Sequence, residues 1–261
     1  MANGLAMVTG ASTGIGFELA TLAAKDGYDL IVVADEPLIN AAADDFRQFG
    51  GEVEAVEADL SAIDGVDRLL AAASGRQIDI LVANAGIGTG GPFLDQEVAS
   101  WRHTIDTNIT GTVYLIQKVL GDMVRRGQGR LLVTGSIAGY IPGSFNAVYN
   151  ASKAFMDNFA EALRNEIKET KGVTLTTLMP GATDTEFFAR ADMLDTQLGQ
   201  DKNKADPAKV AADGWEAMKA GKGHIVSGLA NKAQVAAAGV VPQSVLAEMH
   251  RKQAEPGSGD A

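Results

Sequence analysis

The stretch Thr9-Gly-Ala-Ser-Thr-Gly-Ile-Gly16 leaves an apolar run at Leu5–Thr9 and enters a helix-forming one. No other feature restricts the fold of this chain as much. Glycine permits positive φ and lets backbone N–H groups approach an anion closely. The helix that follows presents unpaired N–H groups and the positive end of its dipole. Gly10, Gly14 and Gly16 therefore form a candidate cradle for a nucleotide phosphate. The spacing is G-x-x-x-G-x-G and not G-x-G-x-x-G. With 30 glycines in the chain, the turn is weak as a lone motif and gains weight from its place directly after a first strand.

Downstream, short continuously apolar runs alternate with helix-length amphipathic stretches. Strands are expected near Leu5–Thr9, Asp29–Ala34, Glu52–Glu57, Ile78–Ala83, Arg130–Ser136, Val173–Met179 and His224–Ser227. Cores such as LIVV and ILVA suit strands covered on both faces. Helices are expected over Gly14–Asp26, Leu38–Phe49, Ile63–Ser74, Gln96–Arg126, Tyr149–Thr170 and Pro207–Ala220. The alternation predicts a doubly wound (Rossmann) α/β fold, with a mostly parallel seven-stranded sheet and helices on both faces. No linker divides the chain, so residues 1–254 are expected to form one domain and 255–261 a disordered tail. The stretch from Thr183 to Asp206 is polar, irregular and long for a connection. Such segments are commonly functional.

Composition closes several alternatives. The chain has 261 residues and no cysteine, which removes disulfides and thiolate chemistry. Its three histidines show no metal-ligand spacing, so no metal is expected. A net charge of −11 without a basic stripe argues against nucleic acid. No run is long enough to span a bilayer, and MANGLAMVTG lacks the basic region of a signal peptide. A cytoplasmic location is expected.

Asp35 follows the predicted second strand about 20 residues past the glycines, where a carboxylate accepts both ribose hydroxyls of a dinucleotide. The alternative is that it caps the next helix. A 2′-phosphate there would face Asp35 and Glu36, with no lysine or arginine nearby in the sequence. NAD(H) is favoured over NADP(H) on that ground.

Tyr149-Asn-Ala-Ser-Lys153 sets a phenol and an ammonium one helical turn apart. A neighbouring ammonium favours the phenolate and pulls its pKa down from about 10. The spacing is not specific by itself, because Tyr114 and Lys118 repeat it. Tyr114 lies mid-helix with nothing catalytic beside it. Tyr149 instead follows the strand-like Leu131-Leu-Val-Thr and the loop at Ser136, and strand ends line the ligand crevice of a parallel sheet.

With these residues in hand, the chain resembles the short-chain dehydrogenase/reductases of the compact branch that carries no separate substrate domain. The likeness runs through Thr9–Gly16, Asp59, Asn84-Ala85-Gly86, Asn108, Ser136 with Tyr149 and Lys153, and Pro180-Gly181 with Thr185. It implies that Tyr149 is the general acid in carbonyl reduction and the base in the reverse direction. Lys153 would bond the nicotinamide ribose, Ser136 would hold the carbonyl oxygen, and Asn108 would be the helix-kink asparagine that keeps a water in line with Lys153. On the cofactor side the likeness implies Ser12, Thr13 and Ile15 in the turn, Asp59 and Leu60 at the adenine, Asn84, Ala85 and Gly86 beneath, and Pro180, Gly181, Thr183 and Thr185 at the nicotinamide. Singly, each has a plain structural alternative: Ser136 a strand-end hydroxyl, Asn108 a cap, Asp59 a turn former. Gly135 stands where many relatives have serine.

The substrate pocket is expected from Tyr140, Ile141, Phe145, Phe187 and Phe188, with Met193 and Leu194, and Arg190 is expected in solvent. This apolar lining favours a neutral carbonyl or secondary alcohol. The resemblance also implies a homodimer or homotetramer. A non-catalytic dinucleotide sensor is the alternative from another class, and the intact tyrosine–lysine pair argues against it.

Overall fold

The computed structural model describes residues 2–260. Met1 and Ala261 lie outside the described residues, including the end of the expected tail.

A single sheet organises the chain. Its strands are β1 (Leu5–Thr9), β2 (Asp29–Ala34), β3 (Val53–Glu57), β4 (Ile80–Ala83), β5 (Gly129–Thr134), β6 (Val173–Met179) and β7 (His224–Val226). They lie in the order β3-β2-β1-β4-β5-β6-β7, and every pairing is parallel. The order reverses between β1 and β4. That reversal opens a crevice beyond the carboxyl ends of the strands.

Alternation along each strand feeds two cores. Leu5 and Met7 of β1 face the layer of α3 (Ile63–Ala72), α5 (Thr112–Arg126) and α6 (Ala147–Glu166). Ala6 and Val8 face the layer of α1 (Gly14–Lys25), α2 (Leu38–Arg47) and α9 (Pro207–Lys219). Trp215 of α9 is buried in the second core, and its indole N–H donates to Asp26 at 2.9 Å. A buried indole placed this way satisfies its one donor.

Three expectations are corrected. The helix expected over Gln96–Arg126 is not continuous. A short turn at Phe93–Asp95 leads to α4 (Val98–Ile105), a π-helical turn occupies Asp106–Gly111, and only then does α5 begin. Gly111 sits under the Leu60 carbonyl with no room for a Cβ, so the inserted turn is wedged against the loop after β3.

The stretch after Thr183 is more regular than its polarity suggested. It holds α7 (Phe187–Arg190) and α8 (Gln197–Gln200), closed at its base by a bridge between Thr183 and Ala205. Phe188, Ala191 and Met193 form a small apolar cluster with Ala254, which gives this lid a core of its own.

The expected disordered tail is also structured through its described residues. Gly257 N–H donates to the Asp195 carboxylate at 2.7 Å, and Gly259 N–H to the Asp195 carbonyl at 2.9 Å. Two further helices, α10 (Leu229–Ala238) and α11 (Gln243–Ala254), precede it and were not expected. No helix among the described residues is long and apolar enough to cross a membrane.

Candidate active site

A cleft of about 700 Å³ runs across the carboxyl ends of the strands at the reversal of strand order. At one end lie Gly10, Ser12, Thr13, Gly14, Ile15 and Gly16 with Asp35, Asp59 and Leu60, and at the other Ser136, Tyr149 and Lys153. Asn84, Ala85, Gly86, Pro180, Gly181, Thr183 and Thr185 line it between them.

The turn is shaped by contacts that exclude side chains. Gly10 and Gly14 have φ of 64° and 59°. A Cβ at Gly16 would overlap the Gly10 carbonyl. Thr13 precedes α1 without capping it through its side chain, so the first-turn N–H groups have no side-chain partner there. Thr185 lies against Gly14, its Cγ2 2.9 Å from where a Cβ would stand. Asp35 directly follows β2 and is exposed in the cleft. A glycine-lined helix start with an exposed carboxylate one strand over fits a dinucleotide, with the pyrophosphate at the turn and the adenosine ribose at Asp35.

Asn84 ties this floor together. Its Nδ2 donates to the Thr9 and Gly10 carbonyls at 3.1 and 3.3 Å, and its Oδ1 accepts from Thr134 at 3.0 Å. Asp59 accepts from Ser61 N–H at 2.8 Å, so its turn-forming alternative holds while it also lines the cleft.

At the other end, α6 presents Tyr149, Lys153 and Asp157 at successive turns of one face. Lys153 Nζ is buried, donates to the Thr134 carbonyl at 2.8 Å and stands 5.8 Å from the centre of the Tyr149 ring. Ser136 is buried at the end of β5, where its Oγ accepts from Ala138 N–H at 3.1 Å. Asn108, carried by the π-helical turn, accepts from Ile87 N–H and donates to the Ile87 carbonyl and to Ser152, each at 2.9 Å. It does not cap a helix. A Cβ on Gly86 would lie 3.3 Å from both Asn108 Oδ1 and Lys153 Nζ, so the two side chains converge on one point of backbone.

The electrostatics depart from the sequence expectation. Burial pushes the Tyr149 phenol up to about 12, against the opposing pull of the Ser136 hydroxyl, and the Asp157 charge adds to the rise. Burial likewise lowers Lys153 to about 8, with Asp157 resisting. The expected acidification of Tyr149 by Lys153 is thus not present here: burial is the largest cause, and the neighbouring charge that bears on the phenol is that of Asp157, which raises it further.

Asp157 was not anticipated. Among the described residues neither of its carboxylate oxygens has a side-chain hydrogen-bond partner, and burial raises its pKa to about 7. Its Oδ2 lies 2.7 Å from where a Cβ on Gly139 would be, and its Oδ1 would overlap a Cβ on Gly135. The two glycines make room for this carboxylate. That packing gives glycine at 135 a physical reason.

On the substrate side, Ile141, Phe187 and Phe188 line the cleft, as does Met193. Tyr140, Phe145 and Leu194 do not. Tyr140 is partly exposed with its hydroxyl toward the Met179 sulfur, Phe145 packs in the lid cluster beneath Arg251, and Leu194 faces solvent. The C-terminal helices and the turn between them take their place through Gln234, Val241, Leu246, Met249, His250 and Gln253. Leu246, His250 and Gln253 recur at helical spacing, a signal that was there to be found. His250 Nδ1 is 2.9 Å from the Ser144 carbonyl, and burial holds its pKa down.

Arg190 is not a free solvated cation. It pairs with Glu36 at 2.5 Å across the cleft mouth.

Fold and cleft together define a nucleotide-binding α/β protein with a tyrosine–lysine pair at its strand ends. The sequence matches the short chain dehydrogenase family over residues 4–194. It is 31% identical over 205 residues to an uncharacterized oxidoreductase of Staphylococcus epidermidis, covering 77% of this chain and 87% of that one. An uncharacterized oxidoreductase of Myxococcus xanthus is 38% identical over 189 residues, covering 70% and 74%. The chain belongs to the short-chain dehydrogenase/reductase family and is an oxidoreductase of that family.

Among solved structures, a short-chain dehydrogenase from Sphingobium yanoikuyae in complex with NADPH superposes with a TM-score of 0.80 at 25% identity, over 92% of this chain and 97% of that one. A short-chain dehydrogenase/reductase from Burkholderia phymatum in complex with NAD reaches 0.81 at 24% identity, over 90% and 92%, a likeness of fold.

Proposed function

We propose that the protein is an NAD(H)-dependent oxidoreductase that interconverts a neutral carbonyl compound and its alcohol, with Tyr149 as general acid and base. The observation that carries this is the convergence of Ser136, Tyr149 and Lys153 in the cleft that also holds the glycine turn. A bound nicotinamide would supply or accept the hydride. The chain's own residues manage the oxygen and the proton.

In reduction, the Ser136 hydroxyl holds the carbonyl oxygen as negative charge develops on it. Tyr149 donates its phenolic proton to that oxygen and is left as phenolate. A phenol raised to about 12 is fully protonated near neutrality, which is the form reduction requires. Lys153 places a buried amine 5.8 Å from the centre of the ring that becomes the phenolate, and Asn108 orders the proton's route back to Tyr149. Alcohol oxidation reverses each step.

Asp35 and Glu36 favour NAD(H). A second reading, NADP(H), draws support from Arg190, a cation the sequence did not place near them. The NADPH and NAD complexes among the structural neighbours are compatible with either choice. Ile141, Phe187, Phe188 and Leu246 support an apolar substrate. Exposed Phe155, stacked on Phe159 along α6, supports a homodimer through that helix.

The test is a panel of ketones, aldehydes and secondary alcohols followed by nicotinamide absorbance with each cofactor. Turnover that disappears in Tyr149→Phe is expected. Equal turnover in wild type and variant would count against the reading.

A further inference from the structure

Glu36 sits directly after Asp35 at the end of β2. Its Oε1 accepts two hydrogen bonds, from Ser12 Oγ in the glycine turn at 2.6 Å and from Arg190 Nη2 in α7 at 2.5 Å. The Ser12 bond and the Arg190 charge hold its carboxyl below the usual range despite partial burial. One carboxylate oxygen thus joins the phosphate cradle to the lid at the adenosine end of the cleft. Lys153, the other residue with a cationic side chain among the described cleft-lining residues besides His250, is engaged with Thr134 at the catalytic end.

This arrangement deepens the cofactor assignment, and rests on it. Arginine is the side chain best suited to bind a phosphate, through parallel N–H donors. Arg190 lines the cleft as Asp35 does, where the adenosine ribose fits. We infer that Arg190 is a phosphate-competent residue held in check by Glu36, so that Glu36, and not Asp35 alone, sets the choice between NAD(H) and NADP(H). With Glu36 ionised, the local charge is two carboxylates against one guanidinium, and that guanidinium is already taken. Neutralising Glu36 leaves one carboxylate against one guanidinium, and the amide oxygen of a glutamine there is an uncharged and weaker acceptor for Arg190 and Ser12, which a phosphate can displace. The pair is partly solvent-exposed, with side chains 40% and 30% accessible, so it contributes little to folding and can be exchanged for another partner without collapse of the lid.

The experiment is calorimetric titration of wild type, Glu36→Gln, Arg190→Ala and the double variant with NAD⁺, NADP⁺ and the fragment 2′-AMP. None of these measurements needs a substrate. Glu36→Gln is expected to tighten NADP⁺ and 2′-AMP about tenfold, the scale of one new charge-assisted contact. NAD⁺ affinity should change by much less. Adding Arg190→Ala should erase the gain, whereas in wild type the same substitution should change NADP⁺ affinity little. Retained NAD⁺ binding shows that each variant is folded. If Glu36→Gln brings no gain, or the gain survives loss of Arg190, the proposal is wrong. Wild type that binds NADP⁺ more tightly than NAD⁺ overturns the NAD(H) assignment instead, and the comparison of Glu36→Gln with the double variant still decides the role of the pair.

Discussion

The ring of Phe187, on the first helix of the lid, lies 4.8 Å from the ring of Tyr149 at an interplanar angle of 50°. The contact closes the lid over the phenol that the mechanism requires, and burial is the main cause of that phenol's raised pKa. Phe187→Ala should admit water and move the Tyr149 pKa down toward its ordinary value. Alcohol oxidation needs the phenolate, so the rise of kcat/KM for oxidation with pH should shift to lower pH. Thermal unfolding should report a loss of about 1 kcal/mol, on the scale of one aromatic pair. An unchanged oxidation profile would show that Phe187 does not govern the phenol.

Asp157 and Lys153 give the cofactor-free protein a defined pH dependence. The ionisable groups that bear on Asp157 are Lys153 and Tyr149 on its own helix and Tyr140 on the turn after Ser136. Its folded-state pKa is raised, so its share of stability is complete below the unfolded value of 3.8 and is lost as pH rises to about 7. Lys153 is lowered, so its share is present above 10.5 and is lost as pH falls to about 8. Both costs are therefore in force between those two folded-state values. Asp157→Asn removes the first of them. Its melting temperature relative to wild type should climb as pH rises from 3.8 to about 7. A flat difference curve over that range would contradict the assignment.

The glycines around Asp157 make a paired prediction. Gly135→Ala would drive a methyl into the Asp157 carboxylate, and crowding of this kind costs about 1–3 kcal/mol. Gly135→Ala combined with Asp157→Ala should recover most of that loss, because the carboxylate is the nearest obstruction. Chemical denaturation of the two single variants and the double variant measures the coupling. Simple additivity would mean that Gly135 is required for some other reason.

Gly16 tests the cradle. A Cβ there meets the Gly10 carbonyl and approaches Asn84 Nδ2, both parts of a fixed floor. Gly16→Ala should weaken NAD⁺ binding at least about tenfold, equivalent to about 1.4 kcal/mol, by displacing the turn. Titration calorimetry reads it directly. Wild-type affinity in this variant would remove the turn from the binding site.

Legibility in the sequence followed the range of the interactions. The run from β1 through α1 to β2 was readable because an apolar strand, a glycine turn and an amphipathic helix are local patterns. The Tyr149–Lys153 pair was readable because one helical turn relates its members. A kink at Asn108 was implied by the resemblance, but its form as a π-helical turn that ends one helix and starts another was not readable, since it depends on packing of Gly111 beneath Leu60, far away in sequence. The union of Glu36 with Arg190 spans 154 positions and left no local trace. Polar composition made the lid and tail look irregular, whereas Asp195 and a few apolar side chains hold them in place. The direction of the Tyr149 shift was missed because burial, its largest cause, cannot be read from spacing.

The most direct measurement is single-turnover reduction of an accepted carbonyl substrate with NADH bound, in wild type and in Tyr149→Phe. Removing the proton donor should slow the chemical step by about 10²-fold or more, while calorimetric NADH affinity stays close to wild type. Equal single-turnover rates in the two proteins would contradict proton transfer by Tyr149.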